Sequence, residues 1–152
     1  MSKLFREEKI RIIEPSTRVA EAYRRKSESF LISSRILLEN ERLEETVSMA
    51  YYSMYYMMLA LLFRTGIQCE NHTGAMILLH RLYRIDSTRV AAAKKDRVDK
   101  QYYVDFTITA AEVSSSVEEA EIFNAELLDY IERLHDGDIR RLREKAGEIF
   151  ER

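Results

Sequence analysis

Proline and glycine are nearly absent: Pro15 stands alone and only four glycines interrupt 152 residues. Such scarcity excludes a turn-rich sheet protein and favours long, uninterrupted helices. Cysteine occurs once, at Cys69, so no internal disulfide can form; the residue reads as a small buried hydrophobe in a reducing compartment. No closely spaced glycines form a phosphate-cradling loop or a dinucleotide fingerprint, and no cofactor is expected. With three histidines and one cysteine the chain lacks the ligand sets of zinc and di-iron sites. Glu132 and His135 have the spacing of half a di-iron motif, but they read as a solvated helix end, so no metal is expected. No run of about 18 apolar residues is free of charge, and Arg6, Glu7, Glu8, Lys9 and Arg11 break up any signal-like apolar stretch. The expectation is a soluble, cytoplasmic protein with no membrane partner. A net charge of −2 gives no global pull on nucleic acid, so contact with RNA would require a local basic patch. Arginine outnumbers lysine while Asn and Gln are few, a composition that leans towards a heat-adapted source.

What is present is helical periodicity. Residues 1–15, with Leu4, Phe5, Ile10, Ile12 and Ile13, read as an N-terminal arm that packs back on the rest and ends at Pro15. Residues 16–152 read as one domain. Ser16 or Thr17 can cap a first helix through Val19, Tyr23, Phe30, Leu31, Leu37 and Leu38, closed by Asn40. A second helix spans Leu43 to Thr65 and stops at Gly66. From Val47 to Phe63 it holds no charge, and a helix apolar on nearly all sides must be buried on nearly all sides, so it is expected at the centre. Gln68 to Asn71 reads as a polar loop before a third helix with Ala75, Met76, Leu79, Leu82 and Tyr83. Asp86, Ser87 and Thr88 break the chain and cap a fourth helix through Val90, Val98 and Tyr102. Phe106 to Ile108 looks extended, and Thr109 with Glu112 forms a capping box. The fifth helix follows with the stripe Val113, Val117, Ala120, Phe123, Leu127, Ile131 and Leu134. Gly137 is read as its end and Asp138 as the cap of a last amphipathic helix through Ile139, Leu142, Ala146 and Phe150. The fold class is all-α: an antiparallel bundle of about five long helices and a short C-terminal one.

Three groups could carry chemistry. Tyr51 and Tyr55 share one face of the second helix, while Tyr52 and Tyr56 share the next. They are either large core side chains or, if one pair is exposed, an aromatic platform for a base. His72 lies at a helix start, where free amide donors and positive potential suit an anion; alternatively Asn71 or Thr73 only caps that helix. Lys94, Lys95, Arg97 and Lys100, with Asp96 and Asp99 between them, form either a solvated face or a basic patch.

The stretch Lys26 to Leu79 resembles the HEPN domain family, helical proteins often encoded beside minimal nucleotidyltransferases. The likeness rests on Ile36-Leu37-Leu38-Glu39-Asn40, then Ala50-Tyr51-Tyr52-Ser53-Met54-Tyr55-Tyr56, then Leu61-Leu62-Phe63-Arg64-Thr65-Gly66 and Asn71-His72-Thr73-Gly74. Arg97, Tyr102, Phe106 and the Thr109–Glu112 box continue it, so that it covers most of residues 18–135 and leaves both ends outside. The resemblance implies a homodimer, a nucleotidyltransferase partner and a site for RNA or a nucleotide. Active members carry an Arg followed four to six residues later by His, and none of His72, His80 or His135 has such an Arg before it. Tyr102 stands where that His would serve, and Gln101 replaces the acidic residue beside it. A phenol with a pKa of about 10 leaves little base at neutral pH. The expected ligand-binding residues are therefore Arg97, Tyr102, His72, Tyr52 and Tyr56, with binding ahead of catalysis. A metal-independent ribonuclease toxin of a toxin–antitoxin pair and a homodimeric assembly module without a ligand are the competing readings. Arg97 and Tyr102, five residues apart, diverge by about 140° on an ideal helix, so they can share a site only if the helix ends early, bends, or is completed by a dimer mate.

Overall fold

The computed structural model describes residues 10–102 and 108–151, with side chains at 10–98 and 108–150. Leu4, Phe5, Phe106 and the side chain of Tyr102 lie outside the described residues, as does most of the stretch read as extended before Thr109. Among the described residues are six helices: α1 (Thr17–Glu39), α2 (Leu43–Thr65), α3 (His72–Arg81), α4 (Thr88–Tyr102), α5 (Ala110–Glu132) and α6 (Asp136–Glu151). Two short strands, β1 (Ile10–Ile12) and β2 (Ile67–Cys69), accompany them.

Capping chemistry sets the helix ends. Ser16, in extended backbone, accepts the Val19 N–H at 3.1 Å and starts α1. Asn40 closes α1 by donating its side-chain amide to the Ile36 carbonyl at 2.7 Å, while the left-handed residue of the turn is Glu41, at φ 59°. The turn folds α2 back along α1, so that the Ser16 N–H reaches the Phe63 carbonyl at 2.9 Å. Thirteen residues of α2 are buried, more than in any other described helix, and it packs against α1, α4 and α5 while touching α3 and α6. By length and composition α2 could cross a membrane, yet 67% of its most apolar stretch is buried among neighbouring helices, as in a core helix. The α5 stripe Val113, Val117, Ala120, Phe123 and Leu127 closes the core against it. Two serines and an amide interrupt the apolar packing. Ser27 of α1 donates to the Ser53 carbonyl at 2.6 Å, and Asn124 of α5 donates to Ser53 Oγ at 3.2 Å. The Asn124 Oδ1 has no partner among the described residues.

Three expectations change. The segment after Gly66 is not purely a loop: Ile67–Cys69 pairs antiparallel with Ile10–Ile12 of the arm, Ile10 opposite Cys69 and Ile12 opposite Ile67. Gly137 does not end α5, which stops at Glu132; it lies in the first turn of α6. Asp138 is not the cap but reaches back from the third position of α6 to accept the His135 N–H at 2.9 Å. This is the carboxylate half of a capping box.

The ribbon and the helix ends meet at Gly66. It adopts φ +80° to terminate α2, and its carbonyl accepts from the Ile13 N–H at 2.8 Å. Arg143 of α6 inserts here, donating Nη1 to the carbonyls of Ile13 (2.6 Å), Thr65 (3.1 Å) and Gly66 (3.0 Å). A guanidinium at a helix C-terminus satisfies orphan carbonyls and complements the negative end of the dipole.

Candidate functional site

Because β2 runs straight into α3, the N-terminus of α3 is held against the middle of α2. Asn71 caps it by accepting the Gly74 N–H at 2.7 Å. His72, the first residue of α3, is then held by three tyrosines of α2. Its Nδ1 shares a hydrogen bond with the Tyr51 hydroxyl, its ring lies 3.9 Å from the Tyr55 ring centroid, and Tyr52 meets it edge-on at 6.4 Å. From the other side α4 supplies cations. The Arg97 guanidinium lies 4.9 Å from the Tyr52 ring centroid and 5.6 Å from that of Tyr51. Lys94, one turn earlier, donates to Thr73 Oγ1 at 3.1 Å.

The electrostatics follow from this placement. Burial first, then the charges of Lys94 and Arg97, lower the His72 pKa below its ordinary 6.5, so the imidazole is neutral at pH 7. Burial raises the Tyr51 hydroxyl well above its ordinary range, opposed by Arg97, and pushes Tyr55 up to about 12. Both phenols therefore stay protonated and act as donors or acceptors rather than bases. The neighbouring carboxylate Glu70 is ion-paired with Arg11 of β1 at 3.1 Å. Two cations, a helix N-terminus and the half-buried face of Tyr52 thus converge, an arrangement that can hold a phosphate beside a stacked ring.

Of the residues singled out from sequence, His72, Arg97 and Tyr52 come together. Tyr56 faces a neighbouring cluster, with Lys26 Nζ 4.5 Å from its ring centroid, Phe30 edge-on at 5.0 Å and Tyr23 stacked at 6.0 Å. It adjoins the site through Tyr52, at 6.3 Å, and Tyr55, at 5.9 Å. α4 continues through Tyr102, so the early helix end that would turn Tyr102 towards Arg97 does not occur. Tyr51, Tyr55 and Lys94 belonged to the tyrosine block and the charge run but were not among the expected ligand-binding residues. Their signal was the i, i+4 tyrosine face and the i, i+3 spacing of Lys94 and Arg97, which has meaning only once the facing helix is known. Glu132 and His135 do not share a helix face, because α5 ends between them.

The HEPN domain family model matches residues 20–151, which carries the likeness through α6, beyond the 18–135 read from sequence. A UPF0332 protein of Thermotoga maritima is 33% identical over 64 residues, 42% of this chain and 48% of that protein. A second UPF0332 protein, from Pyrococcus horikoshii, is 42% identical over 50 residues, 33% of this chain and 35% of its own length. The chain thus spans about half or less of the curated relatives it matches.

Proposed function

This chain belongs to the HEPN domain family, and from that premise we propose that it is a binding and regulatory component. It holds RNA or a nucleotide at the Arg97–His72–Tyr52 site and works with a nucleotidyltransferase partner. One observation carries the binding reading: Arg97 lies over Tyr52 beside the capped N-terminus of α3, with Lys94 bonded to Thr73 of that helix's first turn. A phosphate there gains charge-assisted bonds while a base stacks on the phenol. Family membership and the usual gene neighbourhood of such proteins motivate the partner. Ile32 and Ile36, four residues apart on α1, and Ile122 of α5 are each about half exposed, and this surplus apolar surface suits a two-fold homodimer. The binding test is RNA affinity and cleavage by wild type and Arg97→Ala with no metal added. Affinity falling about tenfold in the variant supports the reading; no wild-type binding, or an unchanged affinity at matched salt, refutes it. Co-purification with the product of an adjacent nucleotidyltransferase gene tests the partner, and light scattering showing monomer alone at micromolar concentration refutes the dimer.

A metal-independent ribonuclease is the second reading. It draws on a specific observation: an Arg and a neutral His that are far apart in sequence face the same tyrosines. Cleavage abolished by both Arg97→Ala and His72→Ala would put this reading first.

A further inference from the structure

The cations at the start of α3 have counterparts at its other end. His80 lies eight residues beyond His72, about 12 Å along the helix at 1.5 Å per residue. With Arg81 it borders a cleft of about 230 Å³ whose other walls are Arg84, Lys145, Glu148 and Ile149. Glu148 is the one acid among those residues, against Arg81, Arg84 and Lys145. Between the two cationic ends runs a groove of about 360 Å³ bordered by α3 and the start of α4. Thr73, Met76 and Ile77 line it from α3, with Ala91 facing them. The groove begins at Thr73, the residue that Lys94 bonds, and ends at His80 and Arg81, which also line the basic cleft. Thr73, Met76, Ile77 and His80 recur at three- and four-residue intervals, so one face of α3 is continuous from end to end.

We infer that this face is a track for single-stranded RNA, running from Lys94 and Arg97 at one end to Arg84 and Lys145 at the other. It rests on the binding reading above and extends it. Cations at both ends match the phosphates, and the apolar middle matches base faces. At a stacked rise of about 3.4 Å per nucleotide, 12 Å holds roughly three to four nucleotides, near the lower limit of known single-strand sites at about 4. An acidic peptide would satisfy the ends but has no flat faces for Tyr52 and the Met76–Ile77 floor.

The experiment compares fluorescein-labelled uridine dinucleotide and octanucleotide by anisotropy on the whole chain. The proteins are wild type, Arg97→Ala and the double variant Arg84→Asn/Lys145→Gln. Asn is chosen because Arg84 sits at φ 58°, which Asn tolerates better than most residues. The double variant is expected to weaken octanucleotide binding about fivefold or more and to reduce the salt slope by about 1.4, at about 0.7 per phosphate on a single strand. Dinucleotide binding should stay unchanged in it, whereas Arg97→Ala weakens both. In labelled wild-type protein, the Met76 and Ile77 methyl resonances should shift with the octanucleotide and not with the dinucleotide. An octanucleotide indifferent to the double variant, with still methyls and an intact Arg97 effect, overturns the track and leaves the first site standing. Loss of the Arg97 effect on both ligands overturns the binding reading itself. Polyglutamate displacing the octanucleotide as effectively as polyuridylate overturns the choice of RNA in favour of an acidic protein.

Discussion

Gly66→Ala tests the junction on which the β1–α1 connection and α6 converge. A Cβ at this position would lie 2.0 Å from Arg143 Nη1, 2.5 Å from the Ile13 carbonyl oxygen and 2.9 Å from Pro15 N. The guanidinium can withdraw, but the other two neighbours are backbone, so the β1–α1 connection must move. Holding alanine at φ +80° adds about 1–2 kcal/mol. Displacing Arg143 from the carbonyls of Ile13, Thr65 and Gly66 adds about 1.5–3 kcal/mol for hydrogen bonds from a charged donor. The sum is about 3–5 kcal/mol, or roughly 10 °C in Tm for a domain of this size. The assay is urea and thermal unfolding of Gly66→Ala, Arg143→Ala and the pair, with Gly147→Ala as control. Gly147 lies within α6 and an added Cβ meets nothing within 4 Å, so its replacement should stabilise by about 0.5–1 kcal/mol. In the cycle, Gly66→Ala should cost less once Arg143 is already gone. A Gly66→Ala loss below about 1 kcal/mol, or strictly additive effects of the two substitutions, would refute the account of the junction.

His72 is held neutral, its folded pKa below the ordinary 6.5, so the unfolded chain takes up the proton first as pH falls. Stability should therefore be full above about pH 6.5 and decline below it; a flatter Tm profile between pH 7.5 and 5 in His72→Gln, with an NMR-titrated pKa under 6.5 in wild type, checks this. Tyr51→Phe removes the hydroxyl that pairs with His72 Nδ1 inside the protein and should lower stability by about 1–2 kcal/mol in urea unfolding. Asn124→Leu deletes a buried carbonyl that has no partner among the described residues, but also the bond to Ser53 Oγ, whose hydroxyl keeps the Ala50 carbonyl. The two effects offset, so unfolding should show a stability within about 1 kcal/mol of wild type.

Elements fixed by local chemistry were legible in the sequence: α2 from its charge-free run and Gly66, α1 from Ser16 and Asn40, and the start of α5 from Thr109. The ribbon was not, because Ile67–Cys69 has strand character only opposite Ile10–Ile12, far away in the chain. The α5–α6 junction misled because glycine reads as a stop signal. Here Gly137 sits inside the first turn of a helix whose start is held by Asp138 reaching back. At the candidate site, His72 stood out by its place at a helix start and Arg97 through the family resemblance. Their meeting on Tyr51 and Tyr52 depends on how α3 and α4 lie against α2, which no local pattern encodes.

The seam of Ser27, Ser53 and Asn124 has a consequence for rotational register. An amphipathic helix is turned to the correct angle by its apolar stripe, but α2 is apolar around nearly its whole circumference and has little such preference. Spun about its axis by one residue, it would still bury hydrophobic side chains against α1, α4 and α5. The Ser53 carbonyl and hydroxyl remove that degeneracy, because only one angle brings them to Ser27 and Asn124 together. Tyr52 precedes Ser53 and Tyr51 stands two residues before it, so the same angle decides which phenols meet His72. A few hydroxyl and amide contacts on the far side of the helix thus aim the tyrosines.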